Sequence, residues 1–380
     1  MIYQRLIKPP KQSFFLFGAR GTGKSTWLKK YFPDAIYIDL LEEGRFQRYL
    51  ADPEQFASDI RVANSKDWVV VDEIQRLPNL LNEVHRAIEN LGVKFALSGS
   101  SSRKLKRSGT NLLAGRALNK SMHPFLPQEL GEDFCIKTAM RFGTIPIVWQ
   151  SSDRNATLES YTQMYLREEI QAEALVRNLS SFARFLPVAA IMHAQVLSIA
   201  NIARDSEVHR NTVSSYIDIL EDTLLAFRLK GFEAKLRVKE RKNPKLYFID
   251  PGLVRALKKY SGEVSQEEKG ALFEGWVANF LRSYNAYTSF FDDWYYWSTT
   301  DSSTEVDFLL RNRDDFVAIE VKASKKISKN DLKGLKAIAE LKGLKRQIIV
   351  YLGNQRQKTE SGIEIFPISD FVTEVSKGVF

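Results

Sequence analysis

Phe14-Phe15-Leu16-Phe17-Gly18-Ala19-Arg20-Gly21-Thr22-Gly23-Lys24-Ser25-Thr26 is the stretch on which the architecture of the chain turns. Four apolar residues stop at Gly18, and the loop that begins there fits the pattern G-x-x-x-x-G-K-[ST]. Helix-compatible Trp27-Leu28-Lys29-Lys30 follows, so strand, glycine loop and helix come in the order a phosphate cradle needs. Glycines let the backbone curl until its N–H groups converge on phosphate oxygens at a helix N-terminus. Gly18, Ala19, Arg20, Gly21, Thr22, Gly23 and Thr26 would line that cradle. Lys24 would reach the β- and γ-phosphates of ATP, and the Ser25 hydroxyl would ligate Mg²⁺.

Such a loop needs a second oxygen ligand for its magnesium. Trp68-Val69-Val70-Val71-Asp72-Glu73 supplies one at the end of a β-branched run, the pattern of a buried parallel strand. Asp72 would hold Mg²⁺, and Glu73 beside it would orient or deprotonate the attacking water. Kinases and small GTPases usually lack the second acid, so the pair points to ATP hydrolysis. Ile36-Tyr37-Ile38-Asp39 reads as an extra strand between the other two, a mark of the ATPase branch. Leu80 to Leu91 reads as a helix, and Phe95-Ala96-Leu97 as a strand ending in Ser98-Gly99-Ser100-Ser101-Ser102. Ser98 or Ser100 at that tip would sense the γ-phosphate. Arg103-Lys104-Leu105-Lys106-Arg107 follows, and Arg116, after Leu112-Leu113-Ala114-Gly115, is either an arginine finger toward a neighbouring subunit or a surface arginine.

The series GARGTGKST, WVVVDEIQRLP, LSGSSSRKL, LLAGRA and HPFLPQEL resembles prokaryotic AAA+ ATPases that carry a C-terminal domain of unknown function. The resemblance covers essentially the whole chain. It implies that Lys24, Ser25, Asp72 and Glu73 fall on the Walker A and B positions, that ATP binds with Mg²⁺, and that the chain assembles as a homo-oligomer. Relatives commonly have a glycine pair near Phe142-Gly143-Thr144-Ile145-Pro146; here Thr144 stands in its place.

From 131 to about 180 the pattern is helical, with Tyr161, Tyr165, Leu166 and Ile170 at the spacing of packing residues. Leu197 to Ala203, a polar turn over 204–207, and His209 to Leu220 read as a helix-turn-helix. His209, Arg210, Asn211, Thr212, Ser214 and Ser215 give the second helix a polar front suited to phosphates or base edges. Phe227–Phe232 and Lys245–Ile249 read as a hairpin, hence a winged helix. Eight basic residues between 228 and 245 (Arg228, Lys230, Lys235, Arg237, Lys239, Arg241, Lys242 and Lys245) face two acids there. Two uses of that wing stay open: contact with DNA or RNA, or an interdomain scaffold.

The last third carries acids in a nuclease-like pattern. A long helical stretch from Glu267 to Tyr284 holds Glu274 among apolar positions, and Tyr295-Tyr296-Trp297 reads as a strand. Glu305-Val306-Asp307-Phe308 and Ile319-Glu320-Val321-Lys322 read as two strands joined by a charged turn, which sets Asp307 beside Glu320 and Lys322 on the face of Glu320. This resembles the PD-(D/E)xK nuclease core. Asp307 and Glu320 would hold a second Mg²⁺ or Mn²⁺, Glu274 would complete the acid shell, and Lys322 would activate water.

The 380 residues suffice for several cores, and four segments are expected: an ATPase domain over 1–130, a helical connector over 131–180, a winged helix over 181–262 and a nuclease-like α/β domain over 263–380. The fold class is α/β, opening on a P-loop parallel sheet of AAA+ type. The net charge of +9 divides as +7 in residues 1–130, +3 in 131–265 and −1 in 266–380, so a polyanion would touch the ATPase domain and the wing. One cysteine, Cys135, excludes an intrachain disulfide and cysteine-based zinc. No apolar run has the length of a membrane span, so a cytoplasmic place with no membrane partner is expected. Two functions remain: ATP hydrolysis coupled to DNA binding, with or without cleavage, and a nucleotide-gated protein-remodelling ATPase with non-catalytic later domains.

Overall fold

The chain is known from a computed structural model that describes residues 3–61, 67–101, 113–165, 170, 178–234, 240–301 and 304–380. The basic run Arg103–Arg107, Leu112, Leu166 and three hairpin residues, Lys235, Arg237 and Lys239, lie outside the described residues. It divides into two units, the first made of residues 1–125, 145–150 and 219–225, the second of 126–144, 151–218 and 226–380.

The first unit is built on five parallel strands, β1 (Phe14–Phe17), β2 (Ile36–Asp39), β3 (Trp68–Asp72), β4 (Lys94–Gly99) and β5 (Leu118–Ser121), in the order β2-β3-β4-β1-β5. Continuous apolar runs suit these strands because Phe15, Val69, Val71, Phe95 and Leu97 are all fully buried in one core cluster. One expectation changes in detail. The strand between β1 and β3 in the sheet is β4, whereas β2 takes the edge beyond β3. This order puts the C-terminal ends of β1 and β3 on either side of β4, where a ligand meets loops from all three.

Residues 145–150, expected in a separate connector, belong to this first unit. The short helix Pro146–Trp149 is tied to the glycine loop, since the Ile147 N–H donates to the Gly21 carbonyl at 3.3 Å. Pro146 at its first position has no N–H to lose there.

The second unit spans the remaining expected segments. Helices Ile136–Phe142, Arg154–Met164 and Leu179–Ile191 lead to strand β6 (Gln195–Val196). Tyr161, Tyr165 and Ile170 are buried, as packing residues should be. Asp250 explains the interruption at 142–146: its carboxylate accepts from the Thr144 N–H at 2.6 Å and the Leu253 N–H at 3.2 Å, capping helix Pro251–Leu257. Gly143 must be glycine, because a Cβ there would collide with that carboxylate and its φ is +75°.

Helices Ile199–Ser206 and Arg210–Asp222 form the expected pair, the first ending three residues later and the second starting one residue later than the sequence suggests. Ser198 caps the first by accepting from the Asn201 N–H at 3.3 Å, and Glu207, in the left-handed region at φ 55°, ends it. Strands β7 (Ala226–Leu229) and β8 (Lys245–Phe248) pair antiparallel, with β6 on the far side of β8. Helix Gln266–Thr288, opened by a Ser265–Glu268 capping box, precedes a six-stranded mixed sheet. Its strands are β9 (Asp293–Ser298), β10 (Glu305–Asn312), β11 (Asp315–Lys322), β12 (Leu344–Tyr351), β13 (Gln357–Lys358) and β14 (Glu364–Pro367), ordered β13-β14-β12-β11-β10-β9. β10 runs antiparallel to both β9 and β11, and β12 runs parallel to β11.

Candidate functional site

The glycine loop turns between β1 and helix Lys24–Tyr31 by means only glycine supplies. Gly21 and Gly23 sit at φ 77° and 89°, and a Cβ on Gly18 would lie 2.5 Å from the Met122 carbonyl oxygen. Thr22 is buried and its hydroxyl donates to the Ala19 carbonyl at 2.7 Å, bracing the loop. Lys24 is buried at the helix start, where its ammonium donates to the carbonyls of Gly18 at 2.7 Å and Ala19 at 3.4 Å. Arg20 and Ser25 are half-buried and Thr26 is exposed.

Asp72, 2% exposed, ends β3 with both carboxylate oxygens engaged. The Tyr37 hydroxyl, reaching over from β2, donates to Oδ2 at 2.5 Å, and the Ser98 hydroxyl on β4 donates to Oδ1. Ser25 lies close to the same Tyr37 hydroxyl, so that hydroxyl neighbours both residues expected to hold magnesium. Burial, and then Asp72, push the Tyr37 phenol far above its ordinary range, so it stays a proton donor. A serine hydroxyl and a carboxylate on either side of that phenol make a hard oxygen donor set, which fits Mg²⁺.

Glu73 sits in the left-handed region at φ 60°, a conformation that costs a non-glycine residue about 1–2 kcal/mol. Its carboxylate accepts from the Gln75 amide and from the Ser100 hydroxyl at 3.3 Å, while Gln75 also donates to Ser100 at 3.1 Å. Ser98 thus touches both acids, donating to the Asp72 carboxylate and accepting from the Glu73 N–H at 3.4 Å, while Ser100 touches the Glu73 carboxylate. Gln75, 1% exposed, escaped the sequence reading, as did Tyr37. A Cβ at Gly99 would come within 2.7 Å of the Gln75 side-chain oxygen, so the Ser-Gly-Ser spacing admits that amide. Arg116 pairs with Glu89 of its own chain, and that guanidinium lowers the Glu89 carboxyl below the usual range.

A pocket of about 110 Å³ opens at the start of the P-loop helix, lined by Tyr3, Trp27, Tyr31 and Phe125 among others. The N-terminal segment closes it: Arg5 donates to the Thr22 carbonyl at 2.9 Å, and the Trp27 indole donates to the Ile7 carbonyl at 3.3 Å. Tyr3, Arg5, Ile7, Tyr31 and Phe125 carry no role in the sequence reading.

In the second unit, Asp307 and Glu320 lie on adjacent strands in the register Phe308↔Ile319, and Lys322 donates to Glu320 at 2.6 Å. A β-bulge between Val306 and Leu309 breaks the pairing with β9 and re-aims Asp307, whose Oδ2 accepts from the Val321 N–H at 2.8 Å. Glu274 comes from the long helix, as expected, and Glu305 joins it without having been singled out in the sequence.

At the centre of these acids is Lys245. Its ammonium lies 2.8 Å from Glu274 Oε1 and 3.3 Å from Asp307 Oδ1, and it pairs with Glu305 too. This corrects the wing reading, since Lys245 is 2% exposed and offers nothing to a phosphate backbone. Burial alone would lower its pKa, but Glu274, Tyr247, Asp307 and Glu305 outweigh it and hold the ammonium well above the usual lysine range. The Tyr247 hydroxyl donates to Glu274 at 2.6 Å. Burial, then Asp307, push Glu274 up to about 7, and the same two causes lift Glu320 well above a normal carboxyl.

The remaining described basic residues of the hairpin are also engaged, Lys230 apart. Arg228 pairs with Asp218 at 2.9 Å and Lys242 with Glu233 at 3.0 Å, while Arg241 donates to the Thr300 carbonyl at 3.0 Å. Lys230 is exposed. On helix Arg210–Asp222 the polar front stands open, with Arg210, Asn211, Ser214 and Ser215 exposed beside exposed His209 and half-buried Thr212.

A glycine loop after β1, an Asp-Glu pair after β3 and β4 between them define a P-loop nucleotide-binding domain. Residues 10–131 match the family model described as an AAA domain, so this part is an AAA-type ATPase domain. Residues 135–264 and 269–371 match two domains of unknown function, DUF8612 and DUF4143. The chain is similar to an uncharacterized protein of Mycobacterium tuberculosis, 26% identical over 371 residues that cover 95% of this chain and 79% of that one. An uncharacterized protein of Haemophilus influenzae is 20% identical, with 98% and 97% covered. Among solved structures, a RuvB mutant of Thermotoga maritima aligns with a TM-score of 0.30 at 14% identity, covering 57% of this chain and 82% of that one. The replication initiator DnaA bound to AMPPCP and single-stranded DNA aligns with a TM-score of 0.29 at 15% identity, covering 55% and 82%. No helix among the described residues is long and apolar enough to cross a membrane.

Proposed function

We propose that the chain hydrolyses ATP with Mg²⁺ at the glycine-loop site and couples turnover to nucleic-acid contact made by its second unit. The observation that carries the first half is the separate bracing of the two carboxylate groups. Asp72 is held by Tyr37 and Ser98, and Glu73 by Gln75 and Ser100. Two adjacent carboxylates fixed by different partners can take different roles. Ser25 and Asp72 hold the metal, and Glu73 takes the proton of the attacking water. Magnesium, when bound, neutralises charge on the β- and γ-phosphates. Loop N–H groups from Gly18 to Thr26 bind phosphate oxygens, and Lys24 exchanges its two loop carbonyls for the β- and γ-phosphates. The aromatic pocket beside the helix start suits a purine ring stacked among Tyr3, Trp27 and Phe125. Arg116 acts on a neighbouring subunit's nucleotide in a homo-oligomer only after leaving Glu89.

Nucleic-acid contact rests on the open polar face of helix Arg210–Asp222 and on the winged-helix order of the elements around it. The last sheet, with its helix-then-three-antiparallel-strands order and Asp307, Glu320 and Lys322, supports a restriction-endonuclease-like reading. A second Mg²⁺ or Mn²⁺ would be held there by Glu274, Asp307 and Glu320, and Lys322 would position the water for phosphodiester cleavage. Lys245 occupies the middle of those ligands, so cleavage is not an activity of the arrangement described here. Steady-state ATP turnover of wild type, Lys24→Ala and Glu73→Gln tests the first half; unchanged hydrolysis in either variant refutes the site assignment. Retention of DNA at low salt tests the second half. Arg210→Ala should weaken retention, and a wild-type chain that retains no DNA would leave the protein-remodelling reading standing.

A further inference from the structure

The acid cluster of the last sheet already holds a cation, and that cation is a side chain. Ligand atoms of Glu274, Glu305 and Asp307 all lie within 4.8 Å of one another, a spread that one ion with oxygen bonds of about 2.0–2.6 Å can span. The Lys245 ammonium sits among them, 2.8 Å from Glu274 and 3.3 Å from Asp307. A second observation points the same way. Glu320, 5% exposed and beside Asp307, has one carboxylate oxygen, Oε2, buried without a hydrogen-bond partner among the described residues. Four carboxyl groups thus face two ammonium groups, Lys245 and Lys322, so the fully ionised cluster carries two negative charges in excess. There is also a way in. Lys245 and Glu305 line a cleft of about 780 Å³ together with Ser198, Asn201, Arg241 and Lys242.

We infer that Glu274, Glu305 and Asp307, with Glu320 beside them, form a site for a hard divalent cation, and that the Lys245 ammonium is its resident competitor. Exchange of a single positive charge for a double one offsets more of the carboxylate charge, and carboxylate oxygens are the ligands that Mg²⁺ and Mn²⁺ prefer. Lysine suits the competitor's part because its compact charge rides on a flexible four-carbon stem, which can swing into the cleft it already lines. Admission of the metal and departure of Lys245 are then one event. Whatever moves β8, the strand that carries Lys245, sets the affinity of the site for its ion. The inference deepens the metal reading of this sheet, but its readout is ion binding, so a chain that never cleaves DNA leaves it standing.

The test measures Mn²⁺ binding to the full chain by the loss of the free-ion paramagnetic resonance signal, with Asp72→Asn in every variant to remove the glycine-loop ligand. Lys245→Met should bind one Mn²⁺ at least tenfold more tightly than the parent, and Lys245→Arg no more tightly than the parent. Adding Asp307→Asn to Lys245→Met should abolish the gain. Equal affinity of the parent and Lys245→Met, or a gain that survives Asp307→Asn, overturns the inference. Should Lys245→Met lack a cooperative thermal transition in metal-free buffer, Mn²⁺ should restore it; failure to restore it counts equally against the inference.

Discussion

Two oxygen-rich sites in this chain are each engaged by one of its own side chains, and the two side chains differ in charge. At the glycine loop the Tyr37 hydroxyl donates to Asp72 beside Ser25. In the last sheet the Lys245 ammonium joins Glu274, Glu305 and Asp307. A neutral hydroxyl yields to a metal by giving up a hydrogen bond worth about 1 kcal/mol net. A buried ammonium gives up a set of ion pairs, and removal of one partner of a buried pair typically costs about 3–5 kcal/mol. The first site is therefore poised to load with its nucleotide, and the second is held shut until something moves a strand.

The largest expected effect would break the comparison at its first member. Lys24→Ala or Glu73→Gln should lower ATP turnover by about 10³-fold, because each removes a group that acts on the transferring phosphate or its water. Glu73→Gln should still bind nucleotide, which fluorescence of a labelled ATP analogue would show. Turnover within tenfold of wild type would place the chemistry elsewhere.

The next effect sharpens the second member, through the strand that carries Lys245. His193 is fully buried, and its Nδ1 accepts from the Phe248 N–H on β8 at 3.1 Å. Burial, and then the nearby Lys258, lower its pKa to about 3. A histidine with a folded pKa below its unfolded value of about 6.5 contributes stability above pH 6.5 and loses it as the pH falls toward 3. At pH 5 the loss is about 2 kcal/mol. Urea unfolding at pH 7.5 and 5 should show it, and His193→Gln should flatten the dependence.

Smallest is the effect of Tyr37→Phe, which frees Asp72 Oδ2 of its hydrogen bond. Half-maximal turnover should then need about fivefold less Mg²⁺, the worth of one net hydrogen bond. A rise in the Mg²⁺ requirement would instead make Tyr37 a positioning residue.

These two members were unequally legible in the sequence. Gly18 to Thr26 and Asp72-Glu73 are contiguous, each with a strand before it, so period and spacing sufficed. Tyr37 and Gln75 were not legible, because their roles arise from neighbours across a sheet whose order no local pattern states. Asp307, Glu320 and Lys322 were placed correctly from a hairpin argument alone. Lys245 was misread for a physical reason: in sequence it ends a basic run and looks solvated. Only the pairing of β8 with β7, and the packing of that hairpin against the long helix, bury it among acids. Glu305 was passed over because the bulge that gathers it with Asp307 has no signature in a single strand. The boundaries behaved similarly, since residues 145–150 look like connector and fold with the glycine loop.

The central claim is that one metal site is ready and the other is filled by Lys245. The most direct measurement counts Mn²⁺ ions bound per chain, with a non-hydrolysable ATP analogue present, at a free Mn²⁺ concentration that just fills the second site of Lys245→Met, for wild type and that variant. The account predicts one ion in wild type and two in the variant. Two ions in wild type, or one in the variant, would contradict it.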